Sequence, residues 1–496
     1  MLPSETPTEL KSMKILIVSV EVAPFAKVGG LADVAGALPK ALHKLGHEVR
    51  VVMPLYKMIE DDPRWTVKPV LDDVTVTMNP HWSKQAVLKE TDLEGVPVML
   101  IGTDEWFPLS VDSASVYQPG GMQHLFFSQA ILTMCEQLGW IPDVIHCNDW
   151  HTGFLPVILR EKASGVWDQV ASIYTIHNQA YQGEFGLEVL DALELPHSLY
   201  NPNQLETYGR VNFLKSGSVF SDRVNTVSPT YAKEILTPRY GCRLEGLMQH
   251  LAHEGILSGI LNGIDTDVFN PETDPDLPAH FSAANPANKS KCREGLLKEL
   301  KMKPIEGAPV IGMVSRLSSQ KGMDMVLESA ESMLSLPTQL VVQGLGEPPI
   351  AEGFRLLEKR FPKQVRFIPR FDAPLAQRVY AGCDAFLMPS AFEPCGLGQL
   401  IAMRYGTIPV VRSTGGLADT VFDGQNGFVF QQQAPMEMLA AIERMQAVFG
   451  NPTRWAEMQS AGMNADFGWD RSAQKYVELY KDAISERRGE SSQRTA

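Results

Sequence analysis

At 496 residues with 44% hydrophobic content, the chain is too long for one core; a prior of roughly 150 residues per domain points to two or three. A formal charge of −14 and a pI near 5.3 argue against nucleic acid as the main partner. Phosphate backbones demand a basic face, so any anionic ligand here must be held by local cations. Six scattered cysteines with no Cys-x-x-Cys pair argue against a zinc ribbon or a disulfide scaffold and favour a reducing compartment. Residues 1–12 are polar and lack the apolar core of a secretory signal, and no stretch approaches the ~18 apolar residues of a membrane span. The expectation is a cytoplasmic protein that contacts no membrane.

The first predicted strand is the β-branched run at 15–20, apolar enough to be buried on both faces. It leads into Lys27-Val28-Gly29-Gly30-Leu31-Ala32-Asp33, a cation and two glycines ahead of a helix whose apolar stripe is Leu31, Val34, Ala35, Leu38, Ala41, Leu42 and Leu45. Paired glycines allow a sharp turn and close backbone approach, and the helix start offers unpaired N–H groups to an anion. An ordinary strand-to-helix loop with an exposed lysine is the other reading. Further short strands at 96–101, 143–146, 171–176, 224–227 and 259–261 each run into polar or glycine residues, among them Asp149, His177, Asn178 and Asn262. In an open parallel sheet, ligands gather at the carboxyl ends of the strands.

From 270 to 288 four prolines among acidic and small residues read as a boundary or exposed connection. A second series of strands follows at 309–314, 339–342, 365–368, 385–388 and 408–411, ending in Arg316, Phe371, Ser390 and Arg412. Two α/β domains, each doubly wound, are the simplest architecture. The Gly-Gly-Leu-Ala-Asp of 29–33 returns at 415–419, giving both halves the same helix opening. The tail at 485–496 is polar and reads as disordered.

Gly-x-Gly-x-x-Gly is absent, which removes the main support for a nicotinamide dehydrogenase, as are the Gly-Lys-Ser/Thr phosphate loop, His-Glu-x-x-His and Gly-x-Ser-x-Gly. Asp265 and Asp267 have a spacing that suits a divalent cation, or simply a turn. Arg316 and Lys321 are close enough in sequence to converge on one anion, or to form surface ion pairs. Glu393-Pro394-Cys395-Gly396-Leu397-Gly398 sets a carboxylate beside glycine amides after a strand end.

Taken together and in order, Lys27-Val28-Gly29-Gly30-Leu31, His177-Asn178, Asn262-Gly263-Ile264-Asp265, Ser315-Arg316-Leu317 with Lys321-Gly322, and Glu393-Pro394-Cys395-Gly396 followed by Thr414-Gly415-Gly416 resemble bacterial glycogen synthases and plant starch synthases. The likeness runs from about residue 13 to about 482. It implies a GT-B fold, two Rossmann-like domains facing across a cleft: 13–265 on the acceptor side, 266–470 binding the nucleotide sugar, and a helix at 471–484 crossing back to the first domain. It also implies retaining transfer of glucose from ADP-glucose to the non-reducing end of an α-1,4-glucan, with no required metal or cofactor. Lys27 and the Gly30 amide would then contact the donor diphosphate, and Arg316 and Lys321 would neutralise it as it leaves. Glu393 and the amides around Cys395, Gly396 and Leu397 would meet the glucose hydroxyls, His177 would lie against the sugar, and Phe371 would stack on the adenine. Thr414, Gly415 and Gly416 complete the donor set, while Glu21, Tyr117, Asp149 and Asn262 line the acceptor side.

Two features depart from relatives of the wider GT-B group. Where many retaining members carry a second glutamate eight positions after the first, this chain has Ile401, which favours a glucan synthase over sucrose-synthase-like or lipid-sugar enzymes. The 108–123 loop is shorter than the family's, leaving Tyr117 as its tyrosine. A catalytically silent glucan-binding protein and a synthase using UDP-glucose are the competing readings, and the oligomeric state is open.

Overall fold

The computed structural model describes residues 12–107, 116–117 and 120–489; readings that fall on 1–11, on most of the 108–119 loop or on 490–496 lie outside them. The chain divides into two units. The first comprises the chain up to Thr226, Ile235–Ile260 and the chain from Trp469; the second comprises Val227–Glu234 and Leu261–Gly468. The division thus falls at 260/261 rather than 265/266, and eight residues from within the first half, 227–234, belong to the second unit.

The first unit contains β1 (Lys14–Val18), β2 (Glu48–Pro54), β3 (Lys68–Asn79), β4 (Trp82–Leu93), β5 (Val96–Gly102), β6 (Val144–Asn148), β7 (Ala171–Ile176), β8 (Glu184–Phe185), β9 (Glu206–Thr207), β10 (Arg210–Asn212), β11 (Arg223–Thr226) and β12 (Leu257–Gly259). Nine of them form one sheet, in the order β12-β11-β7-β6-β1-β2-β5-β4-β3, and β8-β10-β9 form a small second one. The large sheet is parallel except at β4 and β3, which pair antiparallel. β1 lies in its middle, and Ile15, Leu16, Ile17 and Val18 are all at most 1% exposed, each burial stabilising by about 1.5–3 kcal/mol. The β3–β4 hairpin escapes the sequence reading because it is half exposed, its core face reduced to alternate residues such as Val74, Val76 and Met78.

The first unit closes with the helix Trp469–Arg487, which therefore continues past the predicted end at 484. Its buried stripe of Ala473, Tyr476, Val477 and Tyr480 packs on that unit's sheet. Polar ends of the stripe are satisfied as well. The ring nitrogens of His146 meet the hydroxyls of Tyr480 (2.8 Å) and Thr175 (2.6 Å), and Asn225 takes the Thr175 proton (2.6 Å) while donating to Tyr476 (3.1 Å). Asp222 accepts from both Arg487 and Arg160 at 2.5 Å.

The second unit is one parallel sheet of β13 (Val310–Val314), β14 (Gln339–Gln343), β15 (Val365–Ile368), β16 (Ala385–Met388), β17 (Ile408–Arg412) and β18 (Phe428–Phe430), ordered β15-β14-β13-β16-β17-β18. The order reverses between β13 and β16, so loops after these strands open outward there. The proline-rich 270–288 stretch, read as a boundary or an exposed connection, contributes to this unit's core. Leu277 and Phe281 are buried in it, and Asp274 accepts the Tyr405 hydroxyl at 2.5 Å. Prolines there shape an irregular but packed segment.

Candidate functional site

The chemistry-bearing residues collect in two places, one in each unit. In the first, the helix Gly30–Lys44 follows the Lys27 turn as expected, but the turn's partners differ from the sequence reading. The Glu21 carboxylate, expected on the acceptor side, is fully buried and accepts from the N–H groups of Val28 (2.5 Å) and Gly29 (3.0 Å). The two amides ahead of the helix are therefore taken, and the N–H groups that a helix leaves unpaired begin at Gly30. Lys27 is not an isolated cation either: its ammonium pairs with Asp33 at 2.6 Å, and its side chain is 39% exposed. Any anion reaching this ammonium has to compete with Asp33 for it.

Tyr117 donates to Glu21 (2.5 Å) and stacks on His151 at 4.8 Å, which in turn stacks on Trp150 at 3.9 Å. Burial pushes the Glu21 carboxyl above its ordinary range despite these three donors. Asp149 sits at the end of β6 with φ +56, a left-handed backbone that costs strain in a non-glycine residue. Its carboxylate accepts from the His177 N–H (2.7 Å) and the Asn178 N–H (3.4 Å), tying the ends of β6 and β7 together. His177 Nε2 meets Asn148 Oδ1 (2.9 Å), and the Asn148 amide nitrogen already donates to Val18 and His146 carbonyls. That fixes the proton on Nε2 and leaves Nδ1 as an acceptor. Burial lowers the His177 pKa to about 3, so the ring is neutral at physiological pH and serves as a hydrogen-bonding surface rather than a charge.

Burial raises the Asp149 pKa from 3.8 to about 7. Between those values the folded state holds a proton that the unfolded state has lost, so this group's stabilisation is complete at low pH and falls as pH rises through the window. Asp149→Asn is therefore expected to gain melting temperature over the parent at pH 8 relative to pH 5, while losing activity. Equal shifts at both pH values would contradict the raised pKa.

In the second unit, Glu393 is 5% exposed and receives the Lys321 ammonium on both oxygens (2.8 and 2.6 Å) and the Ser390 hydroxyl (3.0 Å). Lys321, expected to face a diphosphate, is thus bound to the carboxylate expected to face the sugar. Arg316 lies just past β13 and is exposed. A cavity of about 110 Å³ is lined by Ser315, Lys321, Ser390, Glu393, Gly396 and Leu397, gathering the predicted loops of this unit in one place. Gly322, at φ +68, lets the Lys321 turn approach within reach of the Pro389 carbonyl, where a Cβ would come to 2.1 Å.

The Thr414-Gly415-Gly416 turn also differs from its reading as ligand-facing amides. Gly415 N–H donates to Glu234 (3.1 Å), as does the Thr414 hydroxyl (2.9 Å), and Gly416 N–H donates to the Glu393 and Pro394 carbonyls (3.2 Å each). These glycines hold the Glu393 loop from beneath. The buried Cys395 thiol is pushed up to about 12 and is no nucleophile at neutral pH. Asn262 belongs to this unit, 7% exposed, with its Oδ1 unpartnered among the described residues. Phe371 keeps 70% exposure after β15, leaving an aromatic face in solvent. Asp265 accepts from Asp267 and Val268 N–H groups, so the Asp-x-Asp is a turn.

Two residues that shape this loop, Arg412 and Gln399, were given no part in the site by the sequence. Arg412, 3% exposed, donates to the Ser390 carbonyl (2.7 Å) and to Ala391, and the Gln399 amide donates to the Cys395 (3.1 Å) and Gly396 (2.9 Å) carbonyls. An arginine ending the apolar run Ile408–Arg412 was the one available signal.

Residues 14–250 match the family model described as starch synthase catalytic domain, and 298–455 match glycosyl transferases group 1. The glycogen synthase of Desulforudis audaxviator is 42% identical across 97% of this chain and 99% of its own length, and that of Moorella thermoacetica 42% across 96% and 98%. Among solved structures, the catalytic domain of starch synthase IV from Arabidopsis thaliana, bound to ADP and acarbose, aligns with a TM-score of 0.88 at 35% identity, covering 96% of this chain and all of that one. Sucrose-phosphate synthase from Thermosynechococcus elongatus shares the fold at a TM-score of 0.59 and 18% identity, over 95% of this chain and 99% of its own. With both parallel-sheet units and the ordered motifs accounted for along nearly its whole length, the chain belongs to the glycogen and starch synthase family of GT-B glycosyltransferases.

Proposed function

We infer that this protein is a retaining glucosyltransferase that moves glucose from ADP-glucose to the non-reducing end of an α-1,4-glucan. The observation that carries the reading is the Glu393 carboxylate, buried and held by Lys321 and Ser390 on a glycine loop that lines a cavity. Negative charge grows on the departing ADP as the C1–O bond to the diphosphate breaks, so positioned cations lower the barrier most directly. Lys27, Arg316 and Lys321 are assigned that task, with the Gly30 amide and the Cys395, Gly396 and Leu397 backbone around the donor. Glu393 and the neutral His177 take the glucose hydroxyls. Glu21, Tyr117, Asp149 and Asn262 serve the acceptor side, where Glu21 also anchors the Lys27 turn. The new bond joins C1 to the acceptor oxygen, and the acceptor's proton passes to the departing phosphate on the same face. Metal and cofactor have no part in this reading. Six unpaired cysteines support placement in the reducing cytoplasm. No helix among the described residues is long and apolar enough to cross a membrane.

Mixing the protein with glycogen and ADP-, UDP- or GDP-glucose, and measuring nucleotide released, tests the reading. Release from ADP-glucose only when glycogen is present is the expected result; glycogen binding without release would mark a silent glucan-binding protein. Lys27→Ala and Arg316→Ala are each expected to cut transfer by about 10²–10³-fold without unfolding the chain. Phe371→Ala should raise the donor KM roughly tenfold, the loss of one base-stacking contact, with kcat little changed.

A further inference from the structure

Ser228, Thr230 and Glu234 precede β12 in the chain, yet they belong to the second unit and grip its loops. The Ser228 hydroxyl donates to the Pro394 carbonyl at 2.7 Å and accepts the Tyr231 N–H at 3.0 Å. Thr230 donates its N–H (2.9 Å) and hydroxyl (2.6 Å) to Asp419, the last residue of the repeated Gly-Gly-Leu-Ala-Asp. Glu234 accepts from the Thr414 hydroxyl and the Gly415 N–H. The segment Ser228–Glu234, with its helix Pro229–Glu234, therefore holds both ends of the structure beneath Glu393: the loop after it at Pro394, and the turn that supports it at Gly415.

The contact from Gly415 onward leaves no slack. A Cβ on Gly415 would stand 1.9 Å from the Glu393 carbonyl oxygen, and one on Gly416 would stand 2.1 Å from that of Cys395. The two backbones touch, so a displacement of the turn is a displacement of Glu393. The first unit repeats the device, Glu21 accepting the Gly29 N–H that corresponds to that of Gly415. A glutamate, fully buried at Glu21 and half-buried at Glu234, thus takes the N–H of the first glycine of each repeated motif, and neither amide is left for a ligand.

We propose that Glu234 is a positioning residue for glucose transfer: through the Gly415 turn it sets the backbone of Glu393–Cys395, while Ser228 fixes the same loop at Pro394. This rests on the reading of Glu393 as the group that meets the sugar. In this role Glu234 acts through the Gly415 turn rather than on the substrate, so its loss misplaces the sugar in the transition state more than it weakens nucleotide binding.

The test uses the full chain and compares kcat and donor KM for the parent, Glu234→Ala, Glu234→Gln and Ser228→Ala, by ADP release with glycogen. Glu234→Ala should lower kcat about 30-fold or more with donor KM within about threefold. Glu234→Gln keeps a carbonyl oxygen for the Gly415 N–H and should return to within about fivefold of the parent. Ser228→Ala should show a smaller fall in kcat of the same kind. Amide hydrogen exchange across 393–397 should quicken in Glu234→Ala and not in Glu234→Gln. A parental kcat in Glu234→Ala, or a glutamine variant as impaired as the alanine one, overturns the proposal. Should the alanine variant not fold, the glutamine variant and Thr414→Val decide it, parental exchange across 393–397 in Thr414→Val counting against. If the parent itself releases no ADP, the functional reading fails, and the exchange measurements alone then decide whether Glu234 positions the loop.

Discussion

Lys321→Ala is expected to lower kcat for glucose transfer by about 10²–10³-fold and, independently, to destabilise the second unit by about 3–5 kcal/mol. The two losses have separate causes. The first follows from the proposed role of Lys321 as a cation on the departing diphosphate. The second is abandonment of the Glu393 carboxylate, whose side chain is 6% exposed and which, among the described residues, keeps only Ser390 as a side-chain donor. A second substitution separates them: Lys321→Ala combined with Glu393→Gln removes the stranded charge, so urea unfolding should recover much of the stability while kcat stays low. Recovery of kcat along with stability would mean that Lys321 acts only as the partner of Glu393.

Gly415→Ala is expected to abolish transfer and to cost the second unit about 3 kcal/mol or more, because strain and overlap add at one residue. Its φ is +44, and the added Cβ would press on a backbone carbonyl that has no rotamer to escape into. Gly424 is the internal control. It has φ +70 but nothing within 4 Å of where a methyl group would stand, so Gly424→Ala should cost only about 1 kcal/mol and leave kcat intact. Similar melting curves for the two variants would remove the steric argument for the Gly415 turn.

Short, doubly buried strands such as Ile15–Val18 and Ala385–Leu387 could be located from sequence because a parallel sheet covered on both faces admits little but apolar residues. The order of the motifs along the chain carried the family. What the sequence could not carry was which partner each charged group had taken. Lys27 and Lys321 looked like two cations awaiting an anion, but each already has a carboxylate, Asp33 six residues on and Glu393 seventy-two residues on. The first pairing is local and could have been suspected; the second depends on two loops meeting at the switch point of the sheet. Glu234 was invisible for the same reason, since its partners lie 180 and 181 residues away. Composition likewise misjudged 270–288, where Leu277 and Phe281 anchor a stretch that its prolines suggested was loose.

The helix Trp469–Arg487 has a consequence for how the protein is made. Its Tyr476, Tyr480 and Arg487 complete the hydrogen bonds of Asn225, His146 and Asp222, which leave the ribosome more than two hundred residues earlier. At about 5–20 residues per second, that is a delay of roughly 13–70 s. During it the first unit carries buried polar groups that each lack one of their partners, while the second unit, complete by Gly468, is free to fold ahead of it. The half of the chain that is translated first is thus the half whose folding is finished last, and nascent-chain pulling or pulse-proteolysis experiments should record its protection only once the final helix has emerged.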